Sequence, residues 1–116
     1  MPAQSRENTE HYTWGDNCDG WRLLSRPELS VIEERIPPGR GEVHHFHDRA
    51  RQLFYVLSGR LRIDLPAESV EVSAGQSLEV APTIVHRVHN PFQTDAIFLV
   101  ISSPTTLGDR TNVSPE

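Results

Sequence analysis

The chain has 116 residues and a formal net charge of -5, with eleven arginines scattered among sixteen acidic residues. This length suits one domain with a sizeable core, and without a basic track we do not expect a nucleic-acid partner. No apolar run has the length of a signal sequence or a membrane span, so we predict a cytoplasmic protein that does not enter a membrane. The single cysteine, Cys18, excludes an intrachain disulfide and is typical of a reducing compartment.

Composition divides the chain into three predicted segments. These are an N-terminal arm at 1–20, a β-barrel at 21–103, and a polar C-terminal tail at 104–116 that lies along the surface. Within the arm, Tyr12 and Trp14 lie among turn-forming Gly, Asp and Asn residues, with Trp21 just beyond. The aromatic side chains either cover a barrel end or a dimer contact, or fill a satellite of the core.

Short apolar runs of strand length follow, separated by turns rich in Gly, Pro, Ser and Asp. No helical stripe competes with them. We therefore predict an all-β domain, a sandwich or barrel. The predicted strands are 21–24, 30–36, 43–47, 52–57, 60–65, 70–72, 77–80, 84–89 and 95–102.

The stretch 39–59 contains two histidines at HxH spacing, His45 and His47. Because alternate side chains of a strand share a face, both are predicted to point the same way, with Glu42 on the opposite face. Two imidazoles on one face can bind one metal ion. His86, on a distant strand, also has apolar neighbours on its face, and any one of the three taken alone could be a hydrogen-bonded core residue.

At these positions the chain resembles the cupin superfamily. Two further stretches, WGDNCDGW (14–21) and SSPTTLGDR (102–110), look like those of small single-domain bacterial cupins labelled mannose-6-phosphate isomerase-like. The first cupin motif, G(x)5HxH(x)4E(x)6G, is matched by Gly39, His45, His47 and Gly59, with Gln52 in the glutamate place. The second, G(x)5PxG(x)2H(x)3N, is matched by Gly75, His86 and Asn90, with Ala81 and Thr83 in the proline and glycine places. The resemblance implies a jelly-roll, or double-stranded β-helix, barrel.

The resemblance also implies that four side chains converge on one divalent metal ion inside the barrel. They are His45, His47, Gln52 and His86. Imidazole-rich ligation suits Zn, Fe, Ni or Cu, Mn is a further alternative, and affinity order alone does not select among them. A neutral glutamine in place of glutamate leaves the net charge of the site near +2, which favours Lewis-acid chemistry over a higher oxidation state of the metal. The fourth ligand is also weaker, because an amide oxygen is a weaker donor than a carboxylate.

Glu34 is a candidate catalytic base. It shares a strand face with Ile32 and Ile36, so if that face looks inward its carboxyl group is buried near the pocket, and burial raises the pKa of a carboxyl group. The alternatives are an ion pair with an arginine, or a strand register that leaves Glu34 in solvent.

Three arginines near the predicted ligands, Arg49, Arg51 and Arg87, either steer an anionic substrate to the ion or are solvated and paired with surface acids.

Two classes of function follow. The first is a metalloenzyme that acts on a small oxygen-bearing molecule, by Lewis-acid isomerisation or elimination or by iron-dependent dioxygenation. The second is a barrel that binds or senses a small ligand without chemistry. The stretch 96–101 is apolar on both faces, so we also expect a homodimer, formed through sheet packing or exchange of the N-terminal arm.

Overall fold

The computed structural model of the chain describes residues 2–114. Residue 1 of the predicted arm and residues 115–116 of the predicted tail lie outside this range. Within it the strands are β1 (Glu10–Trp14), β2 (Cys18–Ser25), β3 (Ser30–Ile36), β4 (His45–Phe46), β5 (Arg51–Ser58), β6 (Arg60–Asp64), β7 (Ser69–Ser73), β8 (Ser77–Val80), β9 (Arg87–His89), β10 (Ala96–Ser103) and β11 (Thr111–Asn112). The same range contains no helix long and apolar enough to cross a membrane.

The strands form two larger antiparallel sheets and one short pair. The large sheet has the order β1-β2-β3-β10-β5-β8, the smaller sheet has the order β7-β6-β9, and β11 pairs with β4. Chain neighbours are often not sheet neighbours, since β10 lies between β3 and β5. The predicted all-β jelly-roll barrel is confirmed.

The core is built from the inward side chains of both larger sheets. β10 shows the pattern most clearly, because its buried residues Ala96, Phe98, Val100 and Ser102 alternate with half-buried ones. Side chains from the smaller sheet complete the core, among them Leu61, Ile63, Val72 and Val88.

Strand prediction fails where the chain is irregular or rich in turn residues. β1 was not predicted, yet residues 10–14 pair in register with β2. The predicted strand 43–47 shrinks to His45–Phe46 and the predicted strand 84–89 to Arg87–His89. The boundaries of the predicted arm, barrel and tail stay predictions.

The turn between β5 and β6 depends on Gly59. Its φ is +77°, and a Cβ there would lie 2.3 Å from the carbonyl oxygen of Asp95. Gly75 has a similar φ of +85°, but a Cβ there would meet nothing within 4 Å. The first glycine is therefore required by both backbone conformation and space, the second by conformation alone.

We expect Gly75→Ala to lower the free energy of unfolding by about 1 kcal/mol, the cost of left-handed backbone in a residue with a Cβ. Gly59→Ala should cost at least about 2 kcal/mol more, because the clash with Asp95 forces the turn apart. Urea unfolding followed by circular dichroism measures both. Equal losses in the two variants would show that the close approach at Gly59 is unimportant.

Candidate metal centre

The segments that carry His45 and His86 are joined by a pair of backbone hydrogen bonds. The His45 N–H donates to the His86 carbonyl oxygen (3.0 Å), and the His86 N–H donates to the His45 carbonyl oxygen (2.9 Å). In an antiparallel pair that exchanges both bonds, the two side chains lie on the same face. Both side chains are buried, and their ring centroids are 4.4 Å apart.

His47 brings a third buried ring to the same place. Its centroid lies 5.0 Å from that of His45 and 5.8 Å from that of His86. One nitrogen of each ring lies within 4.8 Å of those of the other two. Two nitrogens that bind one zinc ion at ~2.1 Å are at most ~4.2 Å apart, so a small closure of the rings brings them onto a single ion.

Backbone carbonyl groups fix the tautomer of all three histidines. Nδ1 of His45 lies 2.9 Å from the carbonyl oxygen of Val43, and Nδ1 of His86 lies 2.9 Å from that of Ile84. Nδ1 of His47 bonds to the carbonyl oxygen of Asp109. A carbonyl oxygen only accepts, so each Nδ1 carries the proton and each Nε2 presents a lone pair.

Those lone pairs fit a metal ion. Among the described residues, Nε2 of His47 and of His86 and Oε1 of Gln52 are buried and have no hydrogen-bond partner. Burial lowers the pKa of His45 to about 3 and also lowers that of His86, which keeps both rings neutral. Nε2 lone pairs cannot satisfy one another, whereas a divalent cation accepts all of them.

Gln52 enters the site from β5 as part of a polar row across three strands. It is paired in register with Ser102 of β10, which is paired in turn with Ser30 of β3. Nε2 of Gln52 donates to Oγ of Ser102 (3.1 Å). Because the amide nitrogen donates to the serine, Oε1 of Gln52 is the atom that remains available to a cation. That Oε1 binds the cation stays a prediction.

Glu42 lies on the side of the cavity, and the prediction that it faces away from the histidines is wrong. Residues 42–44 are not regular strand, so alternation does not apply to them. Oε1 of Glu42 is 3.8 Å from Nε2 of His45 and accepts from the Val88 N–H (3.1 Å). Burial raises the pKa of Glu42 to about 7, against the opposing charge of Arg110. A carboxyl group beside the ligands changes the expected charge of the site, because it can supply the negative charge that Gln52 lacks.

Two of the three histidines, His45 and His47, line a cavity of about 890 Å³. Glu34 is half-buried in its wall, and the Tyr12 hydroxyl donates to its Oε2 atom (3.4 Å). Burial, helped by the charge of Glu42, raises the pKa of Glu34 to about 8. Tyr12 reaches across Gly20, where a Cβ would lie 2.4 Å from the tyrosine ring. The partner of Glu34 is therefore a phenol, not an arginine.

The aromatic residues of this segment do not share one environment. Tyr12 and Trp14 line the cavity, and Trp14 also packs against the buried core, as the satellite alternative expects. Trp21 instead packs against the His11 ring and the Arg6 guanidinium.

The predicted arginines do not line the cavity. Arg51 pairs with Glu79, and Arg87 pairs with Asp64, as the surface alternative expects. The arginines that do line it are Arg22, Arg26 and Arg110.

The C-terminal segment also belongs to the cavity wall, which the sequence did not indicate. Residues 105–108 and Arg110 line the cavity. Asp109 is buried, so the expectation of a tail along the surface is wrong at that residue. A polar sequence without periodicity does not indicate which residues are buried. In the structure, the hydrogen bond from His47 to Asp109 connects this segment to the candidate metal ligands.

A model of the cupin domain family matches residues 32–102. The chain belongs to the cupin family. An RmlC-like cupin from Shewanella frigidimarina is 25% identical with a TM-score of 0.79, over 88% of this chain and 89% of that one. The polyketide cyclase RemF from Streptomyces resistomycificus is 18% identical with a TM-score of 0.84, over 100% and 87% of the two chains. The polyketide synthase CurC of Streptomyces cyaneus is 31% identical over 67 residues, 58% of this cupin and less than half (44%) of that protein.

Glu34 makes the stability of this cupin depend on pH. Its pKa is about 8 in the folded chain against an ordinary value of 4.5. Between these pH values the unfolded chain has lost a proton that the folded chain keeps, so the free energy of unfolding falls as pH rises. We expect Glu34→Gln to gain at least ~1 kcal/mol over the wild type between pH 5 and pH 8, measured by chemical denaturation with a chelator present.

The matched control is Glu79→Gln, which removes an exposed carboxylate on the large sheet. Its unfolding free energy should run parallel to that of the wild type over the same pH range. If the unfolding free energy of Glu34→Gln also ran parallel to that of the wild type, Glu34 would not be protonated in the folded chain.

Proposed function

We propose that this cupin is a metal-dependent enzyme that acts on a small molecule with an enolisable carbonyl or carboxylate group, and that it isomerises the molecule or eliminates a group from it. The observations that carry the proposal are three buried imidazoles that could hold one ion, and a cavity that His45 and His47 share with Glu34, a carboxyl group of raised pKa. The first group suits a cation and the second suits proton transfer.

His45, His47 and His86 would hold the ion, with Gln52 Oε1 as a fourth donor. A divalent ion with open positions supplies Lewis-acid polarisation of a carbonyl oxygen. The ligand set is compatible with Zn, Fe, Ni or Mn. Phe54 and Val100 line the same cavity, and these apolar side chains would keep water away from the ligand and strengthen electrostatic interactions there.

Glu34 is proposed as the group that moves the proton. As a carboxylate it removes a proton from the carbon next to the substrate carbonyl. In an isomerisation it returns that proton to a different atom; in an elimination a leaving group departs with the electron pair instead. Its pKa of about 8 suits a base that works near neutral pH. The Tyr12 hydroxyl steadies the carboxylate through its hydrogen bond.

Two of the similar proteins support a substrate rich in carbonyl groups. RemF is named a polyketide cyclase and CurC a polyketide synthase. A cavity of about 890 Å³ holds a molecule of several rings.

We further propose that the protein is a homodimer joined through the outer face of the large sheet. Leu99 of β10 is paired in register with Tyr55 of β5, and both point away from the core. Leu57 on the same face is 44% exposed. Apolar side chains on the outer face of a sheet, here with Tyr55 and Leu57 exposed and Leu99 half-buried, favour packing against a second copy.

The reaction is tested by hydrogen exchange. Metal-loaded protein in D2O is incubated with 1,3-diketones, 2-keto acids and hydroxyketones, and deuterium next to the carbonyl is followed by NMR. Wild type should catalyse exchange. Glu34→Gln should keep its metal and lose about 10²- to 10⁴-fold in rate, the usual contribution of a general base. His86→Ala should lose both metal, by elemental analysis, and exchange.

His89→Ala is the control. His89 points to the face of its strand opposite to that of His86 and bonds to Asp64 there. The variant should keep metal and rate. If the iron-loaded protein took up oxygen and catalysed no exchange, the reaction would be a dioxygenation and not an isomerisation or elimination. Tight ligand binding with neither reaction would favour a binding or sensing protein.

The dimer is tested by size-exclusion chromatography with light scattering. Wild type should elute at twice the 13.1 kDa chain mass. Leu99→Asp should elute as a monomer, because the charge is buried in the proposed interface. Leu107→Asp changes an apolar residue that is 84% exposed on the cavity loop and should stay dimeric. A wild-type monomer would rule out the dimer.

A further inference from the structure

Asp109 binds the loop that joins two of the candidate ligands. Its side chain is buried, and its carboxylate accepts backbone N–H groups from three successive residues, Asp48 (2.7 Å), Arg49 (3.0 Å) and Ala50 (3.0 Å). These residues connect His47 to the strand that carries Gln52. Three charge-assisted bonds to one carboxylate hold the loop in a single conformation.

The backbone of the same residue bonds to His47. The Asp109 carbonyl oxygen accepts the His47 Nδ1–H, which fixes the tautomer and the plane of that ring. His45 and His86 depend on carbonyl groups only two residues earlier in their own segments. His47 is therefore the histidine of the three whose orientation depends on a distant part of the chain.

The segment around Asp109 is anchored on both sides. Before it, the Thr105 N–H donates to the Pro27 carbonyl oxygen (3.0 Å). After it, β11 pairs with β4, and the Val113 N–H donates to the His44 carbonyl oxygen (2.8 Å). The first bond ties the segment to the turn between β2 and β3, and the second set ties it to β4, which carries His45.

We propose that Asp109 is a positioning residue of the metal site, which shapes the loop between His47 and Gln52 through its carboxylate and directs Nε2 of His47 toward the ion through its carbonyl oxygen. The inference rests on the proposed metal site and is independent of the proposed reaction. Partners of this kind, one bond removed from the metal, usually contribute 10- to 100-fold in affinity.

The test compares the wild type with Asp109→Asn, which keeps the size of the side chain but has one acceptor oxygen instead of a carboxylate. Zn²⁺ affinity is measured by competition with a chromophoric chelator, and folding is checked by circular dichroism. We expect a 10- to 100-fold loss of affinity. Asp48→Asn changes an exposed carboxylate of the same loop and should stay within threefold of wild type.

A spectroscopic measurement separates positioning from general destabilisation. Long-range ¹H–¹⁵N NMR of the metal-free protein reports the tautomer of each imidazole. His47 of the wild type should carry its proton on Nδ1, and Asp109→Asn should disturb this ring while His45 and His86 keep theirs.

Unchanged Zn²⁺ affinity in a folded Asp109→Asn variant would overturn the proposal. So would an Nε2–H tautomer at His47 in the wild type, which needs no variant to fold. A wild type that bound no Zn²⁺ would instead overturn the proposed function, and the tautomer measurement would still decide whether Asp109 orients His47.

Discussion

The reciprocal backbone hydrogen bonds between His45 and His86 are the constraint on which the rest of the site depends. They join the strand of one motif to the segment of the other and place two imidazoles on one face. His47 follows His45 by two residues, and Gln52 lies on the next strand in the chain, β5, which belongs to the large sheet. Because antiparallel pairing fixes which side chains share a face, a shift of one residue at this bridge would turn a histidine out of the cavity.

The site carries a folding cost that indicates function. Buried polar atoms without partners cost about 1–3 kcal/mol each, and here three of them lie together among the described residues. Cores normally avoid such groups. All three histidines use Nδ1 for structure and leave Nε2 free, so the arrangement is specific to a ligand that accepts lone pairs. A cation bound to these atoms would stabilise the folded state and offset that cost.

Two carboxyl groups, those of Glu34 and Glu42, line the same cavity as His45 and His47. Burial raises the pKa of both carboxyl groups, and the charge of Glu42 raises that of Glu34 further. Tyr12 reaches Glu34 only because Gly20 has no side chain. The proposed proton-transfer group, Glu34, lies on β3, and the candidate cation ligands lie on other strands and segments. Glu42 lies close to His45 and to the charge of Arg110.

The sequence by itself determined the all-β fold, the three histidines, and Gln52 and Glu34 as candidates, because strand alternation and motif spacing are local properties. Only the tertiary structure decided which other groups meet them. Glu42 lies in an irregular segment where alternation has no meaning, β1 and the Tyr12 contact depend on pairing with β2, and Asp109 lies in polar sequence without periodicity. Their roles arise from contacts between residues far apart in the chain, such as Asp109 with His47, and no local pattern encodes such contacts.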